Sequence, residues 1–213
     1  MEKQEISKQL VCIDAGHGGY DSGAQGAFAD EKTIVLTIAQ RLQHLLMQRL
    51  DDYIPLMTRR KDHFVSLNER TEITNRLDAD IFISLHCNSF VSESPHDLQV
   101  YHWQTSQKSK RLAQCIFDQL SPLDGGVSKW SRVEENHNYY VLKKTVCPAV
   151  LVELDYISNS AGEALLVNPA YQIEAAEQIL AGIDNYFDKG VQGDVRRQRK
   201  LITDLRQIGL NHG

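Results

Sequence analysis

The chain has 213 residues, a formal net charge of −5, and 42% hydrophobic and 24% charged residues. A chain of this length can form one domain with a core large enough to need no disulfides. The acidic balance argues against a nucleic-acid partner, and no apolar run reaches the roughly 20 residues that a membrane span requires.

Residues 1–9 are too short and too polar for a signal peptide, because the first apolar run begins at Leu10. We therefore expect a chain that either is made without a signal peptide or has already lost it. The four cysteines form no CxxC pair and mostly fall in apolar runs. This pattern predicts small buried thiols without disulfides at Cys12, Cys87, Cys115 and Cys147.

Segments typical of strands and helices alternate along the chain. A strand at residues 11–13 leads into a glycine-rich turn around His17, and an amphipathic helix then begins at Glu31. Further strands are predicted at 53–57, 81–85, 98–103 and 149–154, with a short one at 140–142. Further helices are predicted at 106–120, from 169 onward, and after capping boxes at 66–69 and 160–163. Between them, residues 127–139 are predicted to form a surface loop near the site.

This alternation predicts a single α/β domain over residues 1–190, with a mostly parallel, buried central sheet flanked by helices. Residues 191–213 predict a basic tail in which the apolar residues have the spacing of a short helix.

Four side chains able to bind metal or carry protons are predicted to meet at one edge of this sheet. His17, His86 and Glu153 each follow a predicted strand, and Glu31 opens the first helix. Two histidines and a carboxylate are typical of a catalytic zinc site that keeps a position for water. A further carboxylate can take and return the proton during amide hydrolysis, and burial is expected to raise the pKa of Glu153 toward a useful range.

Each of these residues also has a structural explanation. A histidine after a strand is more often hydrogen-bonded than metal-bound, and a carboxylate at the position of Glu31 is favoured by the helix dipole. Glu153 can simply pair with a basic side chain. Asp14 is either a turn former or the partner that orients His17. The other histidines are interpreted as surface or structural residues, and His102 is the one for which this interpretation is least secure, because it lies in a predicted strand.

Several motifs then occur in order with regular gaps: IDAGHGG at 13–19, EK at 31–32, TR at 58–59, ADIFISLH at 79–86, PAVLVE at 148–153 and ISN at 157–159. In these motifs the chain resembles the zinc-dependent N-acetylmuramoyl-L-alanine amidases of the type 3 family. The resemblance extends from residue 11 to about residue 187.

The resemblance implies a twisted sheet in a zinc-hydrolase architecture, with His17, Glu31 and His86 as Zn²⁺ ligands and Glu153 as the catalytic glutamate. It implies peptidoglycan as the partner, and hydrolysis of the amide between N-acetylmuramic acid and L-alanine of the stem peptide. No long insertion separates residues 120 and 139, so no autoinhibitory helix is expected. Asp155 stands where the family commonly has glycine, and in a continuous strand it would share a face with Glu153.

Two other functions stay open at this stage. One is a catalytically silent wall-binding or regulatory module, and the other is a different zinc hydrolase, such as a carboxypeptidase or a deacetylase. The intact set of four residues favours the amidase, acting on the cell wall from the periplasm or exterior as an autolysin or endolysin. Without a signal peptide, we expect synthesis in the cytoplasm and release at lysis, unless the sequence is a truncated exported enzyme.

Overall fold

The computed structural model describes residues 8–91, 96–124 and 131–188. Its strands are β1 Gln9–Ala15, β2 Tyr53–Met57, β3 Ile81–Asn88, β4 Gln99–Trp103, β5 Arg132–Asn136 and β6 Ala149–Tyr156. Its helices are α1 Glu31–Met47, α2 Leu67–Arg76, α3 Gln107–Leu120, α4 Tyr140–Lys144, α5 Ser160–Leu166 and α6 Pro169–Tyr186, with a short 3₁₀ turn at Ser121–Asp124.

The strands form one six-stranded sheet in the order β2-β1-β3-β6-β4-β5. Neighbouring strands are parallel except for β4, which runs antiparallel to β6. The prediction of an α/β domain with a mostly parallel central sheet is therefore confirmed. All residues of β6 and the first five of β3 are buried, as expected where helices cover both faces of a parallel sheet.

Alternating side chains of each strand enter two apolar clusters, one on each face of the sheet. In β3, Ile81 and Ile83 join the larger cluster, which α1, α3 and α6 cover. Phe82 points to the opposite face and packs in a smaller cluster with Val141 of α4. Because β1, β3 and β6 are parallel neighbours, their carboxyl ends lie at one edge of the sheet, between the helices that cover its two faces.

Three local predictions are wrong. Residues within the predicted loop form edge strand β5, whose polar side chains are tolerated because β4 is its single neighbour in the described sheet. The expected strand at 140–142 is helix α4, since a short apolar run does not distinguish the two. The expected capping box at 160–163 does not form, because Asn159 caps α5 by accepting from the N–H groups of Ala161 and Gly162.

Other predictions hold. The Ser66–Glu69 capping box opens α2, and Asn168 caps α6 with proline following it. All four cysteines are free thiols as predicted, but only Cys12 and Cys87 are buried, whereas Cys115 and Cys147 are half-buried. Within the described ranges, every helix is too short or too polar to cross a bilayer. The predicted tail at 191–213 and residues 127–130 of the predicted loop lie outside the described residues, and the boundary at 190 stays a prediction.

Candidate metal and catalytic centre

The turn after β1 brings His17 back over the edge of the sheet. His17 has a left-handed backbone with φ of 58°, which is uncommon for a residue with a side chain. Buried arginines fix this turn by donating to its carbonyl groups. Arg70 donates to the carbonyl of His17 at 2.7 Å, and Arg59 to that of Gly16 at 2.7 Å. These charge-assisted hydrogen bonds offset the cost of the unusual backbone.

Two glycines leave room for the site. A Cβ on Gly16 would lie 2.4 Å from Cε1 of His86. At Gly23, whose φ is 66°, a Cβ would lie 2.5 Å from Oε2 of Glu31 and 2.6 Å from Cδ2 of His17. Any larger residue at either position would displace a predicted site residue, because these neighbours are packed side chains of the cluster.

The structure brings His17, Glu31 and His86 together. Nε2 of His17 lies 3.1 Å from Oε2 of Glu31, and Nδ1 of His86 lies 2.9 Å from Oε1. One ligand-type atom from each of the three residues lies within 4.8 Å of the others. The imidazole rings meet edge to face with their centroids 5.0 Å apart. A single small cation can therefore be reached by all three side chains.

Glu31 is buried, and its carboxylate is held by the backbone as well as by the histidines. The N–H of Ala24 donates to Oε2 at 2.8 Å, and the N–H of Cys87 donates to Oε1 at 3.0 Å. Burial alone would raise the pKa of Glu31, but the contacts and charges of His17 and His86 hold it well below its usual value. Glu31 is therefore an anion at neutral pH.

Asp21 orients His17. In the sequence, Asp14 was the candidate for this role. Oδ2 of Asp21 lies 3.0 Å from Nδ1 of His17, and Oδ1 accepts from the N–H of Gly23 at 3.1 Å. This leaves Nε2 of His17 as the nitrogen that faces Glu31. A carboxylate behind a ligating imidazole is typical of metal sites. The two residues lie four positions apart in a turn rather than in a helix, so no periodic pattern in the sequence indicated this contact.

Asp14 instead belongs to a buried ion pair below the site. Its Oδ1 accepts from Arg70 at 2.6 Å and from the hydroxyl of Thr58 at 2.6 Å, and its Oδ2 accepts from Ser84 at 2.7 Å. Burial opposes ionisation, but Arg70 and these hydrogen bonds lower the pKa of Asp14 below its usual value. The alternative in which Asp14 orients His17 is therefore wrong, and the residue anchors β1 to α2.

Glu153 lies directly beside His86, since the two residues are register partners on β6 and β3. It is only 7% exposed, and its Oε2 is buried with no hydrogen-bond partner among the described residues. Burial raises the pKa of Glu153 to about 7, although the neighbouring histidines oppose this shift. The expected upward shift is therefore present, and no basic side chain pairs with this carboxyl group in the described part of the chain.

Two other residues considered from the sequence lie elsewhere. His102 is buried, and its Nδ1 faces the carbonyl of Trp103 at 3.0 Å rather than the cavity. A bulge places three residues of β6 opposite two of β3 after Glu153, so the alternation is interrupted there. Asp155 consequently contacts His96 at 2.5 Å and does not line the cavity beside Glu153.

A buried glutamate outside the cavity holds the loop that precedes Glu31. The carboxylate of Glu163 on α5 accepts from the N–H groups of Ala27 at 2.9 Å, Phe28 at 2.6 Å and Ala29 at 3.1 Å. The loop ends where α1 begins with Glu31. The sequence predicts Glu163 only as part of a capping box, because the partners of its carboxylate lie more than 130 positions away.

The cluster opens into a cavity of about 390 Å³. His17, Glu31, His86 and Glu153 all line it. Its rim contains Phe64 and Leu67 next to the turn after β1, Asn88 and Ser89 where β3 ends, and Tyr139 and Tyr140 beside α4. A carboxyl group with a pKa near neutrality and a possible metal cluster therefore share one opening to solvent.

Comparison with known proteins decides the family. The family model described as N-acetylmuramoyl-L-alanine amidase (Amidase_3) matches residues 11–185. The chain belongs to this family. It is a peptidoglycan amidase by family and fold, and the predicted recognition, reaction class and substrate class are confirmed. The family is generally zinc-dependent, which agrees with the cluster of two histidines and a glutamate.

Similar proteins include an uncharacterized protein and a named amidase. Protein YqiI of Bacillus subtilis is 35% identical over 187 residues, covering 87% of this chain and 88% of YqiI. N-acetylmuramoyl-L-alanine amidase LytC of the same species is 34% identical, and the match covers 87% of this chain but only 37% of LytC. The chain therefore spans most of the length of YqiI but little more than a third of the length of LytC.

Solved structures give the same fold. The catalytic domain of the amidase CwlV from Bacillus (Paenibacillus) polymyxa has a TM-score of 0.77 and 33% identity, with 84% of this chain and 98% of that chain covered. The amidase CwlD of Clostridioides difficile, solved with the GerS lipoprotein, has a TM-score of 0.80 and 28% identity, with 86% and 100% covered. The described domain thus matches amidase catalytic domains over nearly their whole length.

Proposed function

We propose that His17, Glu31 and His86 hold a zinc ion and that Glu153 is the proton carrier for hydrolysis of the amide between N-acetylmuramic acid and L-alanine. The observation that supports this most is the placement of three ligand-type atoms within 4.8 Å of one another, beside a buried carboxyl oxygen that has no hydrogen-bond partner among the described residues. The two features occur at the same edge of the sheet. A metal ion held by the cluster and the carboxyl group of Glu153 would therefore act on the same substrate.

The donor set fits zinc. Zinc accepts imidazole nitrogen and carboxylate oxygen, and ligand atoms around a tetrahedral ion lie about 3.3 Å apart. The spacings of 2.9 and 3.1 Å between Glu31 and the two imidazoles approach this value. The ionised state of Glu31 supplies a negative charge for the cation, and Asp21 orients the imidazole of His17. When bound, zinc polarises a carbonyl group and makes a water molecule more acidic.

Glu153 would move the proton at its Oε2. In this proposal the carboxylate accepts a proton from the attacking water and returns it to the nitrogen of the leaving L-alanine amine. A pKa of about 7 suits both transfers, because the group can be ionised before attack and protonated afterwards near neutral pH. This oxygen is buried and therefore shielded from bulk solvent.

Digestion of purified peptidoglycan tests this function. The wild-type chain should release stem peptides with new L-alanine amino termini and leave free lactyl carboxyl groups, as identified by mass spectrometry. Glu153→Gln should retain zinc, and its rate of amide hydrolysis should fall at least about a hundredfold, as expected for loss of general acid–base catalysis. Glu177→Gln on the exposed side of α6 is the matched control and should cleave like wild type.

Other products would identify another function. Cleavage within the stem peptide would indicate a carboxypeptidase, loss of acetyl groups would indicate a deacetylase, and intact wall would indicate a silent module. Each result would contradict the proposed assignment. We also propose that the enzyme acts on the wall without displacement of an inhibitory helix, so the purified chain should be active with zinc alone.

A further inference from the structure

Two exposed aromatic rings stack on each other next to the catalytic cavity. Tyr20 is 83% exposed and Phe64 is 38% exposed, yet their ring centroids lie 4.4 Å apart with an interplanar angle of 25°. Leu67, which begins α2, is also exposed. We call these three side chains the aromatic ledge. Exposed apolar side chains that form one contiguous patch often mark a binding site for a ligand or a partner.

The backbone under the ledge is fixed by polar contacts. The N–H of Gly19 donates to Oδ1 of Asp62 at 2.7 Å. Nζ of Lys32 donates to the carbonyl of Gly19 at 2.8 Å and to Oδ2 of Asp62 at 2.8 Å. Gly19 has a φ of 61°, and a Cβ there would lie 2.7 Å from the backbone nitrogen of Phe64. The two segments that carry Tyr20 and Phe64 are therefore held against each other before any ligand binds.

The ledge is continuous with the cavity. Phe64 and Leu67 line the same cavity as His17 and Glu153. Tyr20 extends this apolar surface outward, beyond the turn that carries His17. A substrate whose scissile amide lies between His17 and Glu153 would therefore extend over the ledge on one side.

We propose that the aromatic ledge binds a pyranose ring of the glycan strand, next to the muramoyl residue whose amide is cut. This inference rests on the proposed function. The C–H face of a pyranose packs well on a flat aromatic ring, and neither partner has to give up hydrogen bonds. The cavity lining also includes Ser89, whose hydroxyl group suits the backbone of the stem peptide.

Kinetics on soluble muramoyl peptides test the ledge. The substrates carry one, two or four sugars on an identical peptide, and a second series lengthens the peptide on one sugar. For the wild-type chain, KM should fall as the glycan lengthens. In Tyr20→Ala this decrease in KM should be roughly tenfold smaller than in wild type, as expected for the loss of one stacking contact. The kcat of the variant should stay within about twofold of wild type.

Matched variants separate stacking from folding. Tyr20→Phe keeps the ring and should restore the wild-type KM, because the hydroxyl has no part in stacking. Val146→Ala removes an equally exposed apolar group just before β6, at the opposite edge of the sheet, and should change no KM. Binding of peptide-free glycan strands, measured by calorimetry, should weaken in Tyr20→Ala and not in Val146→Ala.

Two results would overturn the inference. In one, Tyr20→Ala leaves the glycan dependence of KM unchanged. In the other, the loss follows peptide length, which would place the peptide on the ledge. Should the wild-type chain hydrolyse no muramoyl peptide, the proposed function fails separately, and glycan-strand binding still decides the inference about the ledge.

Discussion

Burial makes the carboxyl group of Glu153 costly to ionise. The same burial suits it to proton transfer, because it brings its pKa close to neutral pH. Its pKa is raised from 4.5 to about 7 in the folded chain by burial. Between these two values the unfolded chain has lost the proton while the folded chain retains it. Stability should therefore fall as the pH rises through this window, which is opposite to the usual behaviour of a paired carboxylate.

We expect Glu153→Gln to remove this pH dependence in the metal-free protein. Relative to wild type, the variant should gain stability on the order of 3 kcal/mol between pH 4 and pH 8. Urea unfolding with a chelator present, at both pH values, measures the difference. Parallel stability profiles for the two proteins would show that Glu153 is not a buried acid with a raised pKa.

The orientation of His17 depends on a single carboxylate oxygen. Asp21→Asn keeps Oδ1, which accepts from the N–H of Gly23, and replaces the anionic oxygen that faces Nδ1 of His17. Zinc affinity should fall about tenfold to a hundredfold, the usual cost of losing such a partner. Competition with a zinc-binding dye measures this change.

Asp30→Asn provides the control for Asp21→Asn. Asp30 lies in the same loop, but its carboxylate accepts from the side chain of Gln25 and faces no histidine. Its substitution should leave zinc affinity within about twofold of wild type. Equal losses in the two variants would mean that the loop as a whole, rather than the contact with His17, determines affinity.

Elements far apart in the chain are joined by Glu163, which ties α5 to the loop before α1. We expect Glu163→Ala to lower the free energy of unfolding by about 1–3 kcal/mol, because buried N–H groups lose their acceptor. It should also weaken zinc binding, since the loop sets the position of Glu31. Glu174→Ala, an exposed glutamate on α6, should change neither quantity. Lost stability with unchanged zinc affinity would confine Glu163 to a purely structural role.

The elements that the sequence predicts well are those with buried, periodic patterns. The apolar runs of β3 and β6 predict strands covered on both faces, and their carboxyl ends place His86 and Glu153 side by side. Edge strand β5 was missed because four of its five residues are polar and, among the described strands, it pairs with β4 alone. The five-residue helix α4 was predicted as a strand because a run that short satisfies either period.

Contacts that depend on turn geometry cannot be predicted from the periodicity of apolar residues. The choice between Asp14 and Asp21 as the partner of His17 depends on the left-handed backbone at His17, which reverses the chain. The separation of Asp155 from the cavity depends on the bulge between β3 and β6, and no residue type in that strand specifies a bulge. The long-range contact of Glu163 likewise follows only once the sheet is assembled.

At the scale of the molecule, one sheet edge collects every residue on which the proposed chemistry depends. Parallel strands β1 and β3 bring two histidines together, helix α1 contributes Glu31 from its first residue, and β6 contributes Glu153. The resemblance to amidase catalytic domains over nearly their whole length agrees with this arrangement. The aromatic ledge adjoins this cavity on the side where we propose that the glycan strand binds.

The central claim is that this cluster binds zinc and needs it for activity. The direct measurement is zinc content per chain together with wall hydrolysis, for wild type and for His86→Ala. Wild type should hold one zinc per chain, lose activity to a chelator and regain it with zinc, whereas His86→Ala should lose both metal and activity. A fully active wild-type chain without zinc, or an unchanged zinc content in His86→Ala, would contradict the account.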